Sequence, residues 1–242
     1  MKSKYIFSAL LLLLSYSCIA IADVPAEPFS LALIGDVPYG AKLGKKDKKF
    51  ERLLADINAD ESLKWILHAG DIKGGGESCS DAILQDRKAR FMRFRKPFIY
   101  TPGDNEWTDC HRVSAGQFSP RERLSRLREI FFNPIGKSLG GKVMTLNSQA
   151  TMPGFADYLE NLMWSEQGVL FATIHLVGSN NAMKKFDKHS SQQRSREDDD
   201  EVKQRNRAAL AWLETVFSKA KREQAPGVLI MIHANPGLDF LL

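Results

Sequence analysis

The sequence predicts an α/β fold whose parallel sheet presents polar side chains along one edge. Three short hydrophobic runs each lead into a Gly-Asp pair, at residues 31–36, 65–71 and 98–104. The segments between these runs are amphipathic, which gives a β-α-β-α-β order. This order is typical of parallel strands joined by right-handed crossovers. Because the carboxyl ends of parallel strands share one edge, where ligands bind, the three aspartates should converge there.

Three strands and two helices are predicted between residues 29 and 100. The strands are the apolar runs at residues 29–34, 65–67 and 97–100. A helix over residues 46–58 is indicated by apolar residues at helical spacing, namely Phe50, Leu53, Leu54 and Ile57. The second helix begins at Ser80 or Asp81, and its predicted apolar face contains Leu84, Phe91 and Met92.

The second half of the chain predicts two further helices and three strands. Ser119, Pro120 and Glu122 indicate a helix start with a capping box. The apolar face of that helix is formed by Leu124, Leu127, Ile130 and Phe131. Residues 157–164 and 169–177 predict a strand pair, and residues 228–232 predict a late strand. The charged segment 184–206 is interpreted as an exposed loop that runs into a helix. The face of this last helix is predicted to consist of Ala208, Leu210, Ala211, Leu213 and Phe217.

The first 22 residues have the pattern of a signal peptide. Lys2 and Lys4 precede an apolar run, and Ala20-Ile21-Ala22 fits a cleavage site. An uncleaved membrane anchor is the alternative. We therefore expect an exported protein, periplasmic or secreted, that has no membrane contact after cleavage and whose mature domain covers residues 23–242.

Composition and charge limit the classes of partner. The chain has 242 residues, of which 43% are hydrophobic, and this suits a single domain with a sizeable core. Loss of two lysines with the signal peptide lowers the net charge from +5 to +3, which is too mild to indicate a nucleic-acid partner. The lysine cluster at residues 42–49 is either a solvated helix start or a rim that attracts phosphate.

Two cysteines, Cys79 and Cys110, remain once Cys18 is removed with the signal peptide. An even number of cysteines in an exported chain indicates a disulfide, with two free thiols as the alternative. Each cysteine follows a Gly-Asp motif by a few residues. A bridge between them would therefore tie together two loops at the predicted functional edge.

The residues expected at this edge predict a metal centre. Three carboxylates brought together repel one another unless a cation neutralises them, although a single Asp at a strand end is often only a turn cap. Two divalent ions roughly 3.5–4 Å apart can polarise a phosphate ester and generate hydroxide near neutral pH. The predicted oxygen and nitrogen ligands are Asp36, Asp71, Asp104, Asn105 and His233. The two ions are expected to be Mn, Fe, Zn or Mg, and the sequence leaves their identity open.

Five motifs taken together resemble the calcineurin-like metallophosphoesterase superfamily, and more closely an exported bacterial branch of it. The motifs are Gly35-Asp36-Val-Pro-Tyr39, His68-Ala-Gly-Asp-Ile-Lys73, the block from Tyr100 to His111, Glu160-Asn161-Leu-Met-Trp164, and the segment from His175 to Asn181. The resemblance implies a metallophosphatase-like layered sandwich of β-sheet flanked by helices. It also implies hydrolysis of a phosphate mono- or diester of a small molecule by metal-hydroxide attack.

The resemblance also implies roles for individual residues. Asp36 would bind the first metal, Asp71 would bridge both metals, and His233 would be a later ligand. Asp104 would take the place of the family's Asn ligand and Asn105 that of its catalytic His, although a register one residue later would make Asn105 the ligand.

Other roles concern the substrate and the leaving group. His111 or His68 would protonate the leaving group, as a general acid must. Lys73 is predicted to contact phosphate and Tyr39 to stack on a substrate ring, with an ion-paired lysine and a loop anchor as the alternatives. His175 is expected to be a hydrogen-bonded structural histidine rather than a ligand.

The sequence departs from the family pattern at three places. The usual Asp-x-His is Asp36-Val37-Pro38, and the usual Gly-Asn-His-Glu box is Gly103-Asp104-Asn105-Glu106. The final Gly-His-x-His segment is not found in the nine residues after His233. We therefore expect a C-terminally truncated form that lacks its last strands. The alternative function is a non-catalytic exported binding or structural protein on the same fold.

Overall fold

The structure, a computed structural model, describes residues 27–235. The predicted signal peptide at residues 1–22 and the predictions about the chain's end lie outside the described residues. None of the helices within residues 27–235 has the length and apolar character needed to cross a membrane.

The first sheet is parallel and contains the three strands predicted from the Gly-Asp runs. These strands are β1 (Ser30–Ile34), β2 (Leu63–His68) and β3 (Phe98–Tyr100), in the order β1-β2-β3. The connecting helices are α1 (Lys48–Ala59) and α2 (Asp81–Phe91). The predicted β-α-β-α-β order is thus confirmed, and all three strand ends lie at one edge.

The second sheet is mixed. Its order is β4-β5-β6-β7, formed by Asn147–Ser148, Leu162–Glu166, Val169–Thr173 and Val228–Met231. The first three strands are antiparallel, and β6 pairs with β7 in parallel. The predicted strand pair is confirmed but shorter than expected. At one end of the β5–β6 pair, side chains replace the backbone hydrogen bonds between the strands. Thr173 Oγ1 accepts a hydrogen bond from Leu162 N, and Asn161 Oδ1 accepts one from His175 N.

Aromatic residues join the two sheets face to face. The ring of Trp65 on β2 lies 6.0 Å from that of Trp164 and 5.2 Å from that of Phe171, on β5 and β6. All three side chains are buried in the main core. This contact makes the fold a layered α/β sandwich, as the sequence predicted.

Helix α3 spans Pro120–Phe131 and buries the predicted apolar residues Leu124, Leu127, Ile130 and Phe131. The predicted capping box is wrong in detail, because the Ser119 side chain makes no cap bond and Glu122 pairs instead with Arg123. The apolar face predicted for α2 is wrong at Met92, which caps the helix end and is 41% exposed.

The last helix, α4 (Arg196–Arg222), begins inside the segment predicted to be an exposed loop. Its N-terminus is fixed by a capping box between Ser195 and Asp198. The predicted apolar face is wrong at Leu210 and Phe217, which are 64% and 51% exposed. The face that packs on the second sheet is formed by Ala209, Trp212, Val216 and Ala220.

Cys79 and Cys110 form the predicted disulfide, with their Cα atoms 5.7 Å apart. Both residues are fully buried and belong to a small cluster with Ala115. The bridge joins the segment before α2 to the loop after β3. It therefore restrains the two loops that carry much of the candidate site.

Replacing both cysteines with alanine should lower the free energy of unfolding by roughly 3–4 kcal/mol, because the loop between them spans 31 residues. Urea unfolding of the oxidised wild type and the double variant would measure this. The reduced wild type is the matched control and should behave like the variant. Equal midpoints for all three forms would contradict the prediction.

Candidate metal centre

Asp36 and Asp71 follow β1 and β2 directly and share an unusual backbone conformation. Their φ angles are 58° and 60°, in the left-handed region that non-glycine residues seldom adopt. Asp36 N donates a hydrogen bond to Gly70 O at 3.2 Å, which links the two turns. Backbone strain of this kind persists where the surrounding structure enforces it, and it is concentrated at functional sites.

The glycines of the Gly-Asp motifs permit a close approach of three loops. A Cβ on Gly70 would lie 2.5 Å from Gly103 N and 2.9 Å from His233 Nδ1. A Cβ on Gly103 would lie 2.1 Å from Asp71 Oδ1. The loops after β2, β3 and β7 therefore meet without space for another side chain, which brings Asp71, Asp104 and His233 together.

These three residues form the first half of the site. One ligand atom from each lies within 4.8 Å of the others. His233 Nε2 is 3.5 Å from Asp71 Oδ1 and 3.4 Å from Asp104 Oδ1. His233 Nδ1 lies 2.8 Å from Ala69 O, so it carries the proton and leaves Nε2 to face the carboxylates. Burial lowers the pKa of His233, but the two carboxylates outweigh burial and raise it to about 9.

The second half of the site is built around Asp36, Tyr39 and Asn105. Tyr39 Oη lies 2.8 Å from Asp36 Oδ1 and 2.6 Å from Asp71 Oδ2. Asn105 Nδ2 donates to Tyr39 Oη at 2.8 Å and to Asp71 Oδ2 at 2.6 Å. The amide nitrogen of Asn105 therefore faces these oxygens, which favours a donor role over the predicted ligand role. Both predicted roles of Asn105 stay predictions.

Glu106 lies beneath both halves, and its role could not be predicted from its residue type. Its side chain is fully buried, and Oε1 accepts hydrogen bonds from Tyr100 Oη at 2.6 Å, Gly103 N at 2.7 Å and Asp71 N at 3.1 Å. Burial and the charge of Asp71 raise the pKa of Glu106 to about 7. Glu106 thus fixes the turns that carry Asp71 and Asp104. Its place in the Gly103–Glu106 box was the only signal in the sequence.

The turn at residues 178–182, most of which has left-handed backbone conformation, packs against Asp104. Ser179 Oγ donates to Asp104 Oδ2 at 2.6 Å, and a Cβ on Gly178 would lie 2.8 Å from the same oxygen. The four residues 179–182 all have φ between 51° and 68°. Arg205 on α4 holds this turn through the Asn181 side chain and through Asn181 O, at 3.1 Å from the latter. Asp104 is therefore oriented from one side by Ser179 and from the other by His233.

Three predicted substrate or acid residues lie apart from this ligand set. Lys73 is fully buried and donates to Gly74 O at 3.1 Å. His68 is also buried, accepts from Gly70 N and donates to Val37 O, and burial lowers its pKa to about 4. The ring of His111 stacks on Phe186 at 4.3 Å, and its Nδ1 lies 2.7 Å from Thr108 O. The roles predicted for these residues stay predictions.

The residues present fit divalent cations. Asp71, Asp104 and His233 bring two carboxylates and one imidazole nitrogen together, and Asp36 adjoins them through Tyr39 Oη. Such mixed oxygen and nitrogen sets bind borderline and hard metals. Asp71 is buried, and this burial raises its pKa, with opposing effects from Tyr39 and His233. A cation between the carboxylates would offset both the burial and the mutual repulsion.

A two-sheet α/β sandwich with carboxylates and a histidine at its strand ends is an arrangement that suits a metal-dependent enzyme. Residues 29–240 match the calcineurin-like phosphoesterases, and the chain belongs to this family. The predicted superfamily is thereby confirmed, and membership supports a metal-dependent phosphoesterase in general. A search of curated proteins gives no significant match.

Proposed function

We propose that this chain hydrolyses small phosphate mono- or diesters at a centre for two divalent ions that share Asp71. The observation that supports this proposal is that the two oxygens of Asp71 face different groups. Asp71 Oδ1 is 3.5 Å from His233 Nε2, whereas Oδ2 is 2.6 Å from Tyr39 Oη. A carboxylate shared in this way is the central requirement of a two-metal site.

The proposed ligands divide between the two halves. Asp104 and His233 would hold one ion, Asp36 would hold the other, and Asp71 would serve both. When bound, the ions would polarise the phosphate ester and lower the pKa of water. The chain's own contribution is orientation, because Glu106 fixes Asp71 from below, Ser179 fixes Asp104, and Ala69 O fixes the tautomer of His233.

The leaving group requires a proton donor, and His111 is the proposed one. Its Nδ1 is engaged by Thr108 O, so Nε2 is the atom that would transfer the proton. Burial lowers the pKa of His111, so a smaller fraction of it is protonated at neutral pH than of a solvent-exposed histidine, although the protonated form gives up its proton more readily. We also propose that the protein is exported, since the Cys79–Cys110 disulfide suits an oxidising compartment.

Metal content and turnover together test this function. The purified chain would be dialysed against trace Mn²⁺ or Zn²⁺ and assayed by elemental analysis, with p-nitrophenyl phosphate and bis(p-nitrophenyl) phosphate as substrates. We expect about two ions per chain and hydrolysis that is lost with chelator and restored with metal. If the purified chain binds no metal and shows no turnover, the proposal is wrong. That result would favour a non-catalytic binding or structural protein on the same fold.

A further inference from the structure

A groove lies at the edge of the first sheet opposite the candidate metal centre. Its lining includes Leu63 and Trp65, near the start of β2, and Pro97, which precedes β3. Because the strands are parallel, their amino ends lie at this edge, whereas the aspartates follow their carboxyl ends. The cavity has a volume of about 640 Å³, which lies within the usual range for small-molecule sites.

One wall of the groove is a loop, residues 137–145, that is fixed to the start of β3. An antiparallel bridge joins the first and last residues of this loop. Two backbone hydrogen bonds between Leu139 and Phe98, each 2.9 Å long, attach the loop to the sheet. These bonds hold the exposed residues Lys142 and Val143 beside the groove, so the wall is built rather than fortuitous.

Positive charge prevails in the groove. Its charged residues are four cations, Lys64, Arg95, Lys96 and Lys142, and two carboxylates, Glu61 and Glu166. Glu166 pairs with Lys64, and Glu61 pairs with Lys96 at 2.9 Å. The charge of Arg95 acts on Glu61 less strongly than that of Lys96 does. Within residues 27–235, Arg95 and Lys142 form no ion pair of their own, so two positive charges are left for a ligand.

The groove also offers apolar surface. Val143 is 57% exposed, and it lines the groove together with Leu63, Pro97 and Met144. A ligand that covered Val143 would remove apolar surface from water, which favours binding. The groove therefore combines unpaired cations with an apolar lining, and this combination is complementary to an anion that carries an apolar body.

We propose that this groove binds an organic anion, with its acidic group on Arg95 and Lys142 and its apolar body against Val143. A guanidinium and an ammonium both donate hydrogen bonds to the oxygens of a carboxylate, phosphate or sulfonate. An uncharged ligand would leave the two cations without a partner, and an inorganic anion would leave Val143 exposed.

The proposed site is separate from the candidate metal centre. Strand β2 runs from the groove toward Asp71 over the six residues Leu63–His68, which corresponds to about 20 Å at the rise per residue of a strand. A ligand in the groove would therefore not contact the metal ligands. The inference goes beyond the proposed function and does not depend on it.

Calorimetric titration of the metal-free chain with naphthalenesulfonate tests the proposal. We expect one site per chain, whose affinity falls as salt is added, because salt screens exposed charges. Uncharged naphthalenesulfonamide and inorganic sulfate should each bind at least about 10-fold more weakly, since each lacks one half of the recognised chemistry.

A double variant locates the binding. Arg95→Ala with Lys142→Ala should weaken naphthalenesulfonate binding by at least about 10-fold, as expected for the loss of hydrogen bonds to a charged group. The control is Arg196→Ala with Lys203→Ala, which removes the same two charges from the exposed surface of α4 and should bind as the wild type does. Circular dichroism of both variants should match the wild type, because the replaced side chains are exposed.

NMR spectra of the wild type give a second readout that does not depend on a variant. The indole N–H signal of Trp65, which lines the groove, should shift during the titration, whereas that of Trp107, in the loop after β3, should not. Unchanged affinity in the Arg95 and Lys142 variant, or equal binding of the sulfonamide or of sulfate, would overturn the proposal, as would no binding at all. None of these measurements uses catalysis, so such a failure would leave the proposed function standing.

Discussion

Replacing Asp71 with asparagine should abolish metal-dependent ester hydrolysis, with a fall in kcat/KM of more than about 100-fold. Changes to residues that only orient a ligand already cost about 10–100-fold in metal affinity or activity, and Asp71 is the residue proposed to serve both ions. Asparagine has the same size and keeps one oxygen for the hydrogen bond from Asn105 N. The thermal midpoint of the metal-free variant should therefore remain close to that of the wild type.

The matched control for Asp71→Asn is Asp56→Asn, which makes the same chemical change on the exposed surface of α1. Both variants would be assayed for bound metal by elemental analysis and for hydrolysis at saturating Mn²⁺. Asp56→Asn should match the wild type in both assays. Full activity in Asp71→Asn would rule out a shared carboxylate at this position.

The convergence of the aspartates could be predicted because it follows from topology. Asp36, Asp71 and Asp104 each come after a strand of one parallel sheet, and parallel strands place their carboxyl ends together. His233 follows β7 of the other sheet, and the sandwich brings the ends of the two sheets to the same place. Strand order and short local motifs are both visible in a sequence.

The face that α4 turns toward the sheet could not be predicted from its residues. Ala208, Trp212, Val216 and Ala220 recur every four residues, but Leu210 and Phe217 place two large apolar side chains away from that face. Periodicity identifies a helix, whereas the choice between two apolar faces depends on the surface against which the helix packs.

The contacts that support the site could not be predicted for a similar reason. Ser179 contacts Asp104 across 75 positions of sequence, and Tyr39 Oη contacts Asp71 across 32. Lys73, for which a phosphate contact was predicted with an ion-paired lysine as the alternative, is fully buried, and its burial was not predicted. Such contacts depend on the path of each loop, which the residue types alone do not specify.

Two motifs that carried the family resemblance meet in a buried ion pair outside the metal centre. Arg128 on α3 makes a two-point contact with Glu160, in which Nε lies 2.9 Å from Oε2 and Nη2 lies 2.6 Å from Oε1. His175 Nδ1 is 2.8 Å from Glu160 Oε1, and both Glu160 and His175 are fully buried. The expectation that His175 is a hydrogen-bonded structural histidine is confirmed.

Replacing Arg128 with methionine should lower the free energy of unfolding by about 3–5 kcal/mol, because it leaves a buried carboxylate without its counter-charge. Urea unfolding at pH 7 would measure the loss. The double variant Arg128→Met with Glu160→Gln is the control, since it removes both charges and should recover part of the stability. A single variant as stable as the wild type would show that Glu160 does not depend on this pair.

The loss of unfolding free energy caused by Arg128→Met should also depend on pH. The direction of this dependence follows from the pKa of Glu160 in the two proteins. Burial raises the pKa of Glu160, but the charge of Arg128 and the bond from His175 outweigh it and hold that pKa well below its usual range. A carboxyl with a depressed pKa stabilises the wild type above its unfolded pKa of about 4.3, and this contribution is lost as the pH falls. In the variant, only the bond from His175 still opposes the effect of burial, so the pKa of Glu160 rises, protonation relieves the buried charge and the variant gains stability as the pH falls. The difference between the two proteins should therefore be largest near pH 7 and shrink toward pH 4. A difference that grows on acidification would contradict this account.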